Sequence, residues 1–171
     1  MRIADEFSYK GARPTLDKHF SAELAEINEI LAGVQEKGHR SEDGSRLMVG
    51  LLKKTFKQRF HDRGWDRQRV KVEMLQAPRR PVYRDIDFVK SRLAAEVQLG
   101  RVALMGYSLA AKFPIFHDAD LIDYAIQIVA MKELTQEMSS ATQYFEQFVW
   151  DLQRRGTADV DIPVLILGVT L

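Results

Sequence analysis

The sequence contains no cysteine. That absence removes disulfide bridges, thiolate metal ligands and a cysteine nucleophile from the available chemistry. Histidine is sparse: His19, His39, His61 and His117 are scattered, and no two stand at zinc-ligand spacing, so each reads as a surface or structural residue. No glycine-rich loop runs into Lys-Ser or Lys-Thr, which argues against a nucleotide triphosphatase. No apolar run approaches the ~18 residues of a membrane helix. The opening Met1-Arg-Ile-Ala-Asp-Glu-Phe7 lacks the apolar core of a signal peptide. A cytoplasmic location with no membrane partner is therefore the expectation. The one Gly-x-Ser stretch, Gly106-Tyr-Ser-Leu-Ala110, ends on alanine and lies in a helical pattern rather than a strand-to-helix turn, so a serine hydrolase is disfavoured.

Net charge is nearly absent as well, at a formal +1, but its distribution is uneven. From Lys53 to Lys71 stand Lys53, Lys54, Lys57, Arg59, Arg63, Arg67, Arg69 and Lys71 against only Asp62 and Asp66. Arg79, Arg80, Arg84, Lys90 and Arg92 extend the bias, whereas Asp17 to Glu36 is acidic. A basic middle of this kind can engage a phosphate backbone, although a solvated helix face is the plainer reading of the charges alone.

The chain of 171 residues fits one domain, 1–171, with a substantial core. Arg2 to Tyr9 suggests an edge strand, broken by Gly11 and Pro14. Leu16, Phe20, Leu24, Ile27 and Leu31 recur every three or four residues, predicting one amphipathic helix from an N-cap at Thr15 to a stop at Gly38. A second helix is expected over Ser45 to Arg63, with Leu47, Leu51, Leu52, Phe56 and Phe60 inward. Arg69 to Met74 alternates as a half-buried strand. Val102, Met105, Leu109 and Phe113 predict a helix ended by Pro114. Leu121 to Val129 alternates again, Tyr144 to Leu152 carries a helical stripe, and Ile162 to Gly168 is the continuous apolar run of a strand covered on both faces. The order β-α-α-β-β-α-β-α-β implies an α/β fold with a mixed central sheet flanked by helices.

The chemistry concentrates in Val82 to Gly100, read as a polar turn entering a strand. On that strand Ala94, Glu96 and Gln98 share one face, while Leu93, Ala95, Val97 and Leu99 form an apolar second face. A carboxylate on a strand so flanked needs a cation. Asp87, Glu96 and the carbonyl of Val97, between Glu96 and Gln98, form a candidate site for a divalent metal. Magnesium suits it, because it takes oxygen donors and keeps several waters. As bare spacing the pattern is weak, and an exposed aspartate with a surface Glu-x-Gln is the plainer alternative.

Asp87-Phe-Val-Lys90-Ser-Arg92 with Glu96-Val-Gln98-Leu-Gly100 resembles the active-site segment of the BglII/BstYI group of type II restriction endonucleases, in the PD-(D/E)XK nuclease superfamily. Met131-Lys-Glu-Leu134 with Glu137-Met-Ser-Ser140, Pro163 to Gly168, Met1-Arg-Ile3 and Phe56 to Trp65 extend the likeness over nearly the whole chain. The resemblance implies a restriction-endonuclease-like fold and Mg2+-dependent hydrolysis of double-stranded DNA by a homodimer, at a palindromic GATC-centred site, within a restriction–modification system. It makes Asp87, Glu96 and Gln98 catalytic, with Gln98 where most of the superfamily has lysine. Arg101, Ser139 and Ser140 align with base-contacting positions, and Lys90 in the matching segment joins them as a DNA contact; Ser139 and Ser140 equally suit a helix cap. Glu73 is an additional carboxylate candidate, and the helix from Arg101 to Phe113 would help form the dimer. Two other readings stay open: a catalytically inactive DNA-binding protein on a nuclease fold, and a repair-type metal-dependent nuclease.

Overall fold

The computed structural model describes residues 1–72, 81–99, 106–138, 143–155 and 162–171. Among these residues six strands form one sheet: β1 (Arg2–Tyr9), β2 (Asp66–Val72), β3 (Val82–Lys90), β4 (Leu93–Gln98), β5 (Tyr124–Ala130) and β6 (Val164–Thr170), in the spatial order β1-β6-β5-β4-β3-β2. β4, β5 and β6 run parallel, while β1, β3 and β2 join antiparallel, which makes the sheet mixed as expected.

Each face of the sheet carries a core. One face packs under α1 (Ala12–His19), α2 (Ser21–Ala32), α3 (Val49–His61) and α5 (Lys132–Glu137), through residues such as Leu16, Ile27, Phe56, Phe60 and Leu134 against Phe88, Ala95 and Ile126. The other is covered by a π-helical turn (Ser108–Lys112), α4 (Phe113–Asp118) and α6 (Phe145–Arg155), through Leu109, Phe113, Phe116, Phe145 and Phe148 against Ala94, Ala125 and Ile166. The apolar run at the C-terminal end is β6, buried along its whole length because its side chains alternate between the two covered faces of the sheet.

Four expectations are corrected. The first helix is two, α1 and α2, divided at Phe20 (φ −132°, ψ 29°); Thr15 lies inside α1, Pro14 is tolerated in its first turn, and Gly33 rather than Gly38 caps α2. The second helix starts at Val49, not Ser45. Leu47 is buried but belongs to a bridge with Arg40 and Met138, and Leu51 faces outward at 43 % exposure. Pro114 does not end the helix before it: the π turn shifts the hydrogen-bond register, and Pro114 enters the first turn of α4. Val82 to Lys90 is a strand rather than a turn, which makes β3 and β4 a hairpin.

That hairpin is what positions the site. Its two turn residues, Ser91 (φ 51°) and Arg92 (φ 67°), both lie in the left-handed region, as the favoured two-residue hairpin turn requires. Neither is glycine, so the turn is strained. The Arg92 guanidinium offsets this by donating to Asp123 Oδ2 at 2.6 Å, Asp123 Oδ1 at 2.7 Å, Asp120 Oδ1 at 2.8 Å and the Asp120 carbonyl at 2.6 Å.

Candidate active site

In the hairpin Phe88 opposes Ala95, Val89 opposes Ala94 and Lys90 opposes Leu93. Continuing that register sets Asp87 opposite Glu96, and the Asp87 N–H donates to Glu96 Oε1 at 3.3 Å. β3 is irregular at this point. Its register with β2 shifts between Gln68–Ile86 and Asp66–Val89, so two residues, Asp87 and Phe88, oppose Arg67 alone. Accordingly Ile86 and Phe88, two apart, reach opposite cores. A bulge re-aims side chains, and this one turns Asp87 out to solvent beside the buried Glu96.

Glu96 is 1 % exposed on the face predicted from strand alternation, with Gln98 at 7 % on the same face. Lys112, delivered by the π turn, donates to Glu96 Oε1 at 2.9 Å. Gln98 Nε2 makes a long 3.4 Å contact with Oε2. Burial pushes the Glu96 carboxyl above its ordinary range. Lys112 pulls the other way by charge and hydrogen bond, and the like charge of Asp87 adds to the rise.

Asp87, Glu96, Val97, Gln98 and Lys112 line a cleft of about 410 Å³ at the carboxyl end of β4. Its other wall is Lys53, Phe56 and Lys57 of α3, with Arg67 of β2 and Phe88 of β3. Phe60 of α3 stacks on Phe88 at 4.1 Å and meets Trp65 edge-on at 5.4 Å, which fixes α3 against β3 and so sets its lysines at the rim. Arg67 is paired with Asp85 at 2.8 Å. Lys53 and Lys57 engage in no hydrogen bond or ion pair among the described residues.

Two carboxylates, Asp87 and Glu96, are the acidic donors that line the cleft, with Val97 between Glu96 and Gln98 in the same lining. Among the described residues no group of three His, Cys, Asp or Glu side chains is gathered to hold one. The donor set nevertheless fits a hard divalent ion that keeps most of its waters, because such an ion takes oxygen donors and needs only one or two carboxylates from the protein.

Sequence reasoning brought Asp87, Glu96, Val97 and Gln98 to one place. Lys90 does not join them. Its ammonium donates to Glu26 Oε1 at 2.6 Å, Glu26 Oε2 at 2.8 Å and the Arg63 carbonyl at 2.8 Å, which uses all three of its protons in structural bonds and leaves none for a phosphate. Glu73, Arg101, Ser139 and Ser140 lie outside the described residues. Lys112 was missed, although a signal existed: at three residues after Leu109 it is a charge set into an apolar helical stripe. Lys53, Lys57 and Arg67 were counted in the basic middle without being assigned to the site.

A family model described as "Restriction endonuclease BglII/BglIII" matches residues 4–169. None of the curated proteins matches the chain in sequence. A solved structure, "Crystal structure of free BglII", superposes with a TM-score of 0.63 at 18 % identity, covering 100 % of this chain and 80 % of that one. At that identity the likeness speaks for the fold alone.

Proposed function

The chain belongs to the BglII/BglIII restriction endonuclease family, a family of DNA-cleaving hydrolases, and from that premise we propose a Mg2+-dependent type II endonuclease. In this reading a homodimer cuts double-stranded DNA at a palindromic, GATC-centred site within a restriction–modification system, and each subunit serves one strand of the two-fold target. One observation carries the proposal: Glu96, buried beside Asp87 and bonded by Lys112, forms the floor of a cleft whose rim holds Lys53 and Lys57, unengaged among the described residues.

Asp87, Glu96 and the Val97 carbonyl are the residues that would hold magnesium. The chemistry supplied by the bound ion is that of a Lewis acid: a more acidic water, and neutralisation of charge developing on the phosphate. The chain's own side chains do the rest. Lys53 and Lys57, one helical turn apart, hold successive phosphate oxygens and so fix the strand over the floor. Phe56 and Phe88 give the cleft dry walls, which strengthens the electrostatics inside it. Gln98 is neutral, so its amide orients a water by accepting and donating hydrogen bonds without contributing charge. Base reading is assigned to Arg101, Ser139 and Ser140 on the family resemblance, arginine to guanine being the commonest specific contact.

The test is cleavage of plasmid DNA rich in GATC-centred sites, with and without magnesium. Discrete fragments in magnesium are expected from the wild type. Asp87→Asn and Glu96→Gln should lose cutting by at least about a hundredfold while retaining DNA binding in a gel shift. Binding without any cleavage, at every salt concentration tried, would overturn the enzymatic reading. Cutting by either variant at the wild-type rate would overturn the ligand assignment.

A further inference from the structure

Lys112 stands out as a charge in a mostly apolar layer. The π turn that carries it has Ser108 and Leu109 buried, and is followed by the buried Phe113. Only 15 % of the Lys112 side chain and 2 % of the Glu96 side chain are exposed, so the pair is drawn almost wholly out of water. Burying two charges is worthwhile only where the geometry is good, and the 2.9 Å contact meets that condition. Among the described residues the remaining hydrogen bonds to the Glu96 carboxylate come from the neutral Asp87 N–H at 3.3 Å and the neutral Gln98 amide at 3.4 Å. Among the described residues Lys112 is thus the only cation bonded to Glu96. Of the other cations lining the cleft, Arg67 is drawn to Asp85, and Lys53 and Lys57 stand on the opposite wall, on α3. The π turn itself is a rare geometry, retained mostly where it serves a site.

We propose that Lys112 is a positioning residue that acts as a tethered second cation of the site: it occupies Glu96 Oε1, leaves Oε2 for a divalent ion, and supplies the fixed positive charge that Gln98 does not carry. The inference rests on the endonuclease reading above. Two consequences follow from charge alone. A divalent ion at Asp87 and Glu96 binds against the repulsion of the ammonium, so removing the ammonium tightens ion binding. The same removal takes positive charge away from a phosphate in the cleft, so turnover falls even when the ion is saturating.

The experiment compares wild type with Lys112→Gln, Lys112→Met and Lys112→Arg. Ca2+ is titrated into the DNA-free protein by calorimetry at low ionic strength, and Mg2+-dependent plasmid cleavage is measured in parallel. Gln and Met should bind Ca2+ about tenfold more tightly, which is the order Coulomb's law gives for a unit charge and a divalent ion ~5 Å apart even at the dielectric of water. Their kcat at saturating Mg2+ should fall about tenfold or more with KM for DNA unchanged. Arg keeps the charge and should stay near wild type in both. A residue that merely braced the site would loosen Ca2+ binding when replaced, so unchanged or weaker affinity in both neutral variants overturns the proposal, as does tighter binding by Lys112→Arg. Having one polar and one apolar variant of similar length keeps the test decisive if one of them fails to fold. Should the wild type itself bind no divalent ion, the metal-dependent reading falls with the inference; should the wild type bind and the neutral variants bind no more tightly, the inference falls alone.

Discussion

Replacing Lys90 with methionine should cost about 2 kcal/mol of folding stability and leave DNA binding unchanged. The ammonium makes contacts of 2.6, 2.8 and 2.8 Å to Glu26 and the Arg63 carbonyl, and Glu26 also accepts from Trp65 Nε1 at 2.9 Å. Lys90 therefore ties β3 to α2 and to the end of α3 under the Phe60–Trp65–Phe88 cluster. Charged hydrogen bonds contribute ~1.5–3 kcal/mol net when sheltered and exposed ion pairs ~0–1. With both side chains 28 % exposed, a value between these ranges follows. In a domain of this size that lowers Tm by about 4–8 °C. A double-mutant cycle with Glu26→Gln should give a coupling of about 1–2 kcal/mol. The pH dependence has a definite sign. Burial would raise the Glu26 carboxyl, but the bonds from Lys90 and Trp65 and the charges of Lys90 and Arg63 outweigh it, so its pKa lies below the ordinary 4.5. A depressed carboxylate stabilises the fold above its unfolded pKa, and that contribution is lost as pH falls through the folded value. The gap between wild type and Lys90→Met should therefore be full at pH 7 and close as pH falls below about 4.5. Urea melts at a series of pH values read it directly. A variant that melts with the wild type but binds DNA more weakly, with a shallower salt slope, would refute this account and restore Lys90 as a phosphate contact.

The rim lysines should behave in the opposite way. Lys53→Met and Lys57→Met should each reduce the slope of log K against log salt by about 0.9, read by fluorescence anisotropy on duplex DNA in Ca2+, while stability changes by less than about 0.5 kcal/mol; an unchanged slope would take them off the DNA path. Gly168→Ala tests the other layer. A Cβ on Gly168 would overlap Met131 Sδ and stand 2.8 Å from the Phe145 ring, so the side chains over β6 must move. A loss of about 1–3 kcal/mol is expected in the urea midpoint, and Met131→Ala in the same chain should recover part of it.

The two-residue period made most of the sheet legible. It identified β5 and the face of β4 that carries Glu96 and Gln98, while an unbroken apolar run identified β6, because burial on both faces of a strand leaves its mark directly in the sequence. The break between α1 and α2 left no such mark. At Phe20 the bonds Phe20 N–H to Leu16 O and Leu24 N–H to Phe20 O persist at 2.8 and 2.9 Å, so the chain bends without losing the phase of the stripe Leu16, Leu24, Ile27 and Leu31. β3 was hidden for another reason. Its polar residues Tyr83, Arg84, Asp85 and Asp87 read as a polar turn, and what makes them a strand is pairing with β2 and β4, which no local window contains. Lys112 belongs to the same class: its meaning lies in Glu96, sixteen residues earlier and on a different element.

The residues whose roles no local sequence window reveals share a physical property. Asp87 lies at a shift in strand register, Ser91 and Arg92 have left-handed backbones without glycine, and Lys112 ends a π turn. Each is a local cost, and each acts on the same carboxylate. The bulge brings Asp87 beside Glu96, the turn fixes the register that pairs them, and the π turn directs Lys112 onto Oε1. Regular elements would satisfy the backbone more cheaply and would leave Glu96 buried with no partner, which is the costliest arrangement available to it. The irregularities are therefore tolerated together or not at all, and the apolar layers on both faces of the sheet supply the stability that lets them persist.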